Sequence, residues 1–486
     1  MAKKDATEAE LSDERKQNVA QIFKKEFDTV ETYRRVLERV DITFEELQNE
    51  YKALGKKYES LLRQSTKLLR TGDAAQRKLM SVQQELEWRQ NLNALWIAQF
   101  LSMVGSNACL PFLPLYVRQL GITNPVEAQF WSGLVFAGPF FLSIITVPLW
   151  GTLGDKHGKK PMILRAVIGL TVTLFAMAFA PNVYWLFALR LIQGAVAGFV
   201  AASLGLVASI TPEKSSGYAM GFLQSSVAAG TVVGPLIGGL VVDAIGIRTL
   251  FYVVAALGFI ATIVVVALVR EPDTVESSEE KDFGVWDTVR YAASATTLRW
   301  LLVFIVVVQT ASMLTTPIMA YFLESLGTPA TALATVTGIM VGLVGILTTA
   351  SMLLWGRWNN TKPFEYTLLI ALPILAVATA MQAFMPSYHY LFPWRIIIGA
   401  FMGALLPTLN AALAKASPPE RRGGVMGLAS SAQLMGNLIS PLLCSFVAVQ
   451  FGMTWCFIIS GLLFVSITPV LIVFYQRQRL AEKTSP

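Results

Sequence analysis

The stretch Met220 to Gly239, MGFLQSSVAAGTVVGPLIGG, decides how the rest of the chain is read. It is apolar enough to lie in a membrane and too rich in glycine to hold as a helix in water, where each interior Gly costs about 1 kcal/mol relative to Ala and a Pro about 3. In hydrocarbon the backbone must keep its own hydrogen bonds, so the segment stays helical and its small residues admit a close neighbour. Gly230, Gly234 and Gly238 recur every four residues and lay a bare groove along one face, with Pro235 placing a kink beside it.

The stretch returns 206 positions later, where Met426-Gly427, Ser431, Gly436 and Pro441 repeat Met220-Gly221, Ser225, Gly230 and Pro235. At nearly the same offset Arg190, Gly194 and Gly198 are mirrored by Arg395, Gly399 and Gly403, and Ser106, Pro111 and Gly121 by Ser312, Pro317 and Gly327. Three matches at one period identify a duplicated unit. Parallel repeats around a site near the bilayer midplane are the construction of many secondary transporters.

With 54% hydrophobic and only 15% charged residues over 486 positions, the chain is a polytopic membrane protein. Cys109, Cys444 and Cys456 lie in apolar runs without metal or disulfide spacing, and His157 and His389 are scattered, so no metal, no cofactor and no enzyme constellation is expected. The net charge of +7 sits beside membrane spans, which argues against a nucleic-acid partner.

Residues 1–90 lack the apolar core of a signal peptide and read as a cytoplasmic helical module. Val19, Ile22, Phe23, Phe27, Val30, Tyr33, Leu37 and Val40 form one helical stripe; after Asp41-Ile42, Thr43 and Glu46 form a capping box. From Phe44 to Leu86 apolar residues fall in alternating steps of three and four, a coiled-coil seam of about six heptads. Gly72 and Asp73 are the expected interruption. The seam's partner is either the first helix, as a hairpin, or a second copy through residues 44–86.

Twelve apolar segments follow between 93 and 475, each near the ~20 residues that cross a bilayer. The even-numbered connections hold most of the Lys and Arg, which places both termini in the cytoplasm of a bacterial-type inner membrane. The expected fold is therefore all-α, with twelve transmembrane helices in two six-helix repeats. Its parts are the module at 1–90, a first bundle at 91–270, a central loop at 271–298 with an interfacial helix near Phe283, Trp286 and Arg290, a second bundle at 299–475 and a tail at 476–486. Tryptophans including Trp96, Trp131, Trp150 and Trp355 fall toward span ends, as in an aromatic belt.

Three motifs carry a resemblance. The loop Gly151-Thr-Leu-Gly-Asp155-Lys156-His157-Gly158-Lys159-Lys160, the set Arg190, Gln193, Gly194 and Gly198 in span four, and Gly221, Gly230, Gly234-Pro235 and Gly238-Gly239 in span five together resemble the signature motifs of the major facilitator superfamily, in its twelve-span drug:proton antiporter branch. The likeness covers residues 92–475, and the module is extra. It implies a multidrug efflux transporter working by alternating access with protons as counter-ion, an Asp155 latch between conformations, and gating or coupling roles for Gly151, Asp155, Gly158, Lys159, Arg190, Gly194, Gly230, Gly234, Pro235 and Gly238. In the second half Asn360 stands where the first has Asp155, which weakens a charge latch there.

A guanidinium as deep as Arg190 is costly in a membrane and by default functional. No Asp or Glu is expected within a span core, so the titrating group is assigned to Asp155 coupled to Arg190, with Asp243 second. The cavity surface expected for a small-molecule substrate comprises Gln99, Ser106, Asn107, Gln224, Gln309, Ser312, Gln433 and Asn437, uncharged apart from the arginines, which favours neutral, zwitterionic or anionic amphiphiles. Alternatives are export of a specific metabolite such as a siderophore, and a membrane-anchored sensor or scaffold signalling through the coiled coil.

Overall fold

The computed structural model describes residues 43–271, 285–359, 361–418 and 421–473, together with positions 24, 28, 30–35, 38 and 476. Two units divide at Glu85 and Leu86. In the first, Thr43 closes the expected capping box, its N–H and hydroxyl both donating to Glu46 Oε2 at 3.2 and 2.9 Å. The helix that starts there, Phe44–Cys109, is unbroken at Gly72 and Asp73, contrary to the expected interruption. Neither residue outweighs the good helix formers around it. The seam residues Phe44, Tyr51, Tyr58, Leu68 and Leu79 are exposed. Residues 12–23 of the expected first helix, most of the acidic stretch after Glu271, Phe283, Asn360 and the tail fall outside the described residues.

The second unit carries the twelve expected crossings. The helices long and apolar enough are Phe44–Gln119, Pro125–Gly151, Lys159–Met177, Val183–Ile210, Lys214–Ile245, Ile247–Leu268, Thr296–Ser325, Leu333–Asn359, Phe364–Phe384, Tyr388–Ala416, Arg422–Phe451 and Met453–Val473, here spans one to twelve. Among the described residues there is no strand. A short amphipathic helix, Val285–Ser294, precedes span seven.

The duplication is written into the backbone. Spans one and seven are each broken by a 3-10 turn at their repeated prolines, Leu110–Phe112 and Thr316–Ile318. The turns after these spans need a left-handed residue, supplied by Gly121 and Gly327, and the turns into spans six and twelve use Gly246 and Gly452. Side-chain bonds repeat as well. Trp150 donates its indole N–H to the Ala195 carbonyl at 2.7 Å and Trp355 to that of Ala400 at 2.9 Å; Thr146 and Ser351 reach the carbonyls of Gly194 and Gly399. These tryptophans, and Trp96, which donates to Ser225 Oγ at 2.9 Å, tie neighbouring helices together.

Span five lies between spans one and eight. Its groove receives span one: a Cβ on Gly234 would stand 2.9 Å from Ala108 N and Val104 O, and Gly230 and Gly238 face Met103 and Ala108 just as closely. Span eight answers with its own glycines, Gly338 against the Pro235 carbonyl, Gly342 against Leu236 and Gly345 against Val232. Glycine therefore sets two interhelical distances along one helix, one of them between the halves.

Candidate functional site

Arg190 is 6% exposed, and its charge is solvated by a device that begins with a proline. Pro139, inside span two, has no N–H to give the carbonyl four residues back, which frees the oxygen of Val135. Arg190 Nε donates to that oxygen at 2.9 Å, and Nη1 donates to Gln193 Oε1, one turn along its own helix, at 2.6 Å. Gly194 is required beside it because a Cβ would overlap the Pro139 carbonyl.

That geometry separates Arg190 from Asp155. Asp155 follows Val135 by twenty residues on the same helix, about 30 Å at 1.5 Å per residue, so any coupling of the two runs through the helix and not through a direct contact. The side chain of Asp155 lies outside the described residues. Around it, the loop is held by a residue that sequence reasoning passed over. Glu271, at the end of span six, accepts from the backbone N–H of Lys159 at 2.6 Å and of Lys160 at 2.9 Å, capping span three. Gly158 stands at φ +95°, and a Cβ there would be 2.9 Å from Glu271 Oε2, which explains that glycine. Lys159 Nζ donates to the Gly205 carbonyl at 3.1 Å, while Gly151 meets no neighbour.

One further carboxylate is buried at a span end, outside the span cores. Glu365, in the first turn of span nine, is fully buried; two residues on, Thr367 donates to Asn359 Oδ1, and Asn359 Nδ2 donates to Thr408 Oγ1, both at 2.6 Å.

Of the expected substrate residues, the structure brings Gln309 and Asn437 together: Gln309 Nε2 donates to Asn437 Oδ1 at 2.7 Å across spans seven and eleven. Gln99 is fully buried and donates to the Leu223 carbonyl at 3.4 Å, beside the exposed Gln224. Asn107 and Ser312 turn back on their own helices, to Met103 and Val308, and Ser106 and Gln433 are half-buried. An aromatic ladder not anticipated from sequence, Tyr218, Phe222, Trp96 and Phe100, stacks between spans one and five.

The halves are bonded at the end of the bundle where span one ends and span eight begins. There Arg118 Nη1 meets Glu324 Oε2 at 2.5 Å, Tyr321 donates its hydroxyl to the Pro114 carbonyl at 2.6 Å, and Ser445 donates to the carbonyls of Gln129 and Phe130. Asp243, ending span five, accepts from the N–H groups of Ala334 and Thr335 at 3.2 and 2.6 Å, capping span eight across the halves. Arg118 and Glu324 are repeat-equivalent positions carrying opposite charges. These contacts hold the two halves together at this end of the bundle, and the cluster is called here the far gate.

A duplicated twelve-helix bundle with glycine-set contacts between its halves and a polar gate at one end defines a polytopic membrane transporter architecture. The family model described as Major Facilitator Superfamily matches residues 95–391 and 301–486, and the chain belongs to that family. It is 30% identical over 368 residues to Multidrug resistance protein MdtG of Proteus mirabilis, covering 75% of this chain and 90% of that one. It is 32% identical over 368 residues to Multi-drug resistance efflux pump PmrA of Streptococcus pneumoniae, covering 76% and 92%. In fold it is similar to the nucleoside transporter NupG, with a TM-score of 0.65 at 15% identity over 79% of this chain and 98% of that one. It is also similar to a bacterial homolog of the human lysosomal transporter Spinster in an inward-facing, unoccupied conformation, with a TM-score of 0.65 at 16% identity over 80% and 96%.

Proposed function

We propose that this protein exports small amphiphilic, drug-like molecules across the inner membrane by alternating access of its two halves, with protons as counter-ion. The observation that carries the reading is the far gate. Its bonds join the halves by side chains at helix ends, the form that a contact made and broken in each cycle takes. Kinship to chains named for multidrug resistance and efflux supports the class of substrate. With the Lys- and Arg-rich loops in the cytoplasm, the far gate faces outward and its closure leaves the substrate path open inward.

Asp243 is engaged in capping span eight across the halves, and the driving proton is assigned to Asp155 and the fully buried Glu365. Everted vesicles acidified inside should accumulate an amphiphilic dye; accumulation indifferent to an uncoupler rejects antiport. Asp155→Asn or Glu365→Gln should abolish uphill accumulation while leaving dye exchange, and retention of uphill transport in both rejects these carboxylates. Removing residues 1–85 should leave transport intact, with the module serving regulation or pairing of two copies through residues 44–86. Loss of transport would instead favour the sensor or scaffold reading.

A further inference from the structure

The two halves treat their repeated arginines differently. Arg395 occupies in span ten the place of Arg190 in span four, and the equivalence is fixed by the paired bonds of Trp150 with Ala195 and Trp355 with Ala400, 205 positions apart. At the same offset Pro139 becomes Val344, so span eight offers no freed carbonyl, and Gln193 becomes Ile398, so span ten offers no amide oxygen. Both groups that solvate the first guanidinium are replaced by hydrocarbon around the second.

Arg395 is nevertheless 8% exposed. Its Nη2 donates to the sulfur of Met319, and its Nε has no partner. A thioether is a weak acceptor. Among the described residues no carboxylate forms an ion pair with it. A guanidinium withdrawn from water without an oxygen acceptor costs several kcal/mol, and the first half shows how cheaply that cost is avoided.

We infer that Arg395 is held unsatisfied to receive the anionic group, a carboxylate above all, of an amphiphilic substrate, which its planar fork of donors fits. The assignment rests on the transport reading above and names its substrate class. Met319 covers the guanidinium from the start of the short helix Met319–Ser325, which also carries Tyr321 and Glu324 of the far gate. Release of the gate therefore lifts the sulfur from Arg395.

The test uses the full chain in phosphatidylcholine nanodiscs, titrated with fluorescent 11-(dansylamino)undecanoic acid and with its neutral methyl ester. The acid should bind on the order of 10-fold more tightly. Arg395→Met should erase that preference while leaving ester affinity unchanged, and its thermal midpoint without ligand should hold or rise because an unpaired buried charge has gone. Arg395→Lys should recover part of the preference. An acid preference surviving in Arg395→Met overturns the assignment. So does a joint loss of acid and ester binding with a lowered midpoint, which marks a structural arginine. If phosphatidylglycerol in the nanodisc displaces the acid from the unaltered protein, Arg395 serves a lipid headgroup and the substrate assignment falls. If vesicles accumulate neither probe while the binding preference persists, the export reading fails and the anion site stands.

Discussion

Arg190 shows what a single residue discloses and conceals. Its type and depth are legible in the sequence, because a guanidinium about eight residues into an apolar run is expensive enough to require a reason. Its acceptors are not, since the Val135 carbonyl becomes available only through Pro139, fifty-one residues away on another helix. The same limit hid Glu271, whose partners are backbone N–H groups more than a hundred positions upstream, and Glu365, which helix packing buries at a place that reads as a span edge. The energetic claim is specific. Gln193→Ala leaves Arg190 Nη1 without its amide oxygen inside the bundle and should cost about 1–3 kcal/mol, seen as a lower thermal midpoint in detergent. Gln193→Glu, which keeps the acceptor and adds an opposite charge, should not share that loss. Equal stability of Gln193→Ala and the unaltered protein would show that the arginine is solvated elsewhere.

At the scale of one helix, span five was the most legible part of the chain, because close helix packing in a membrane leaves a mark in composition: glycine every fourth residue. Which neighbour fills the groove is not a local property. Span one fills it along Gly230, Gly234 and Gly238, while the opposite side meets a second glycine row in span eight that sequence reading had not singled out. The motif's glycines are not equivalent. A methyl at Gly234 would meet backbone atoms of span one at 2.9 Å, whereas Gly221, also a fixed position of the motif, has nothing within 4 Å. Gly234→Ala should therefore push the spans apart and cost about 1–3 kcal/mol, and Gly221→Ala should change stability by no more than about 0.5 kcal/mol. Thermal denaturation of the two variants side by side checks the contrast, and equal effects would mean that the groove is not closely filled. The breaks in spans one and seven were visible only as prolines, since composition does not say whether a membrane proline kinks a helix or opens a 3-10 turn.

For the whole molecule, the duplication and the count of twelve spans were legible because both rest on long patterns, whereas the gate was not, because each of its bonds joins residues from different halves. Arg118 and Glu324 are 206 positions apart, so one repeat supplies the cation and the other the anion at the same place. With side chains 46% and 44% exposed, the pair contributes at most about 1 kcal/mol; the Asp243 cap, by analogy with helix caps generally, contributes about 0.5–2 kcal/mol. A gate held by increments of this size opens by shifts of a few-fold. Ser132 is fully buried beneath it, and the three native cysteines are buried, so Ser132→Cys reports opening through its rate of maleimide labelling. On that background Arg118→Glu and Glu324→Arg should each speed labelling about two- to five-fold, and the double exchange should restore the original rate because the pair is reformed with its charges swapped. Asp243→Asn should speed labelling comparably, since an amide keeps one acceptor oxygen for span eight but not the charge that favours its N-terminus. Additive effects of the two charge reversals, without restoration, would mean that the residues act separately and that the gate is held by Tyr321, Ser445 and the glycine contacts alone.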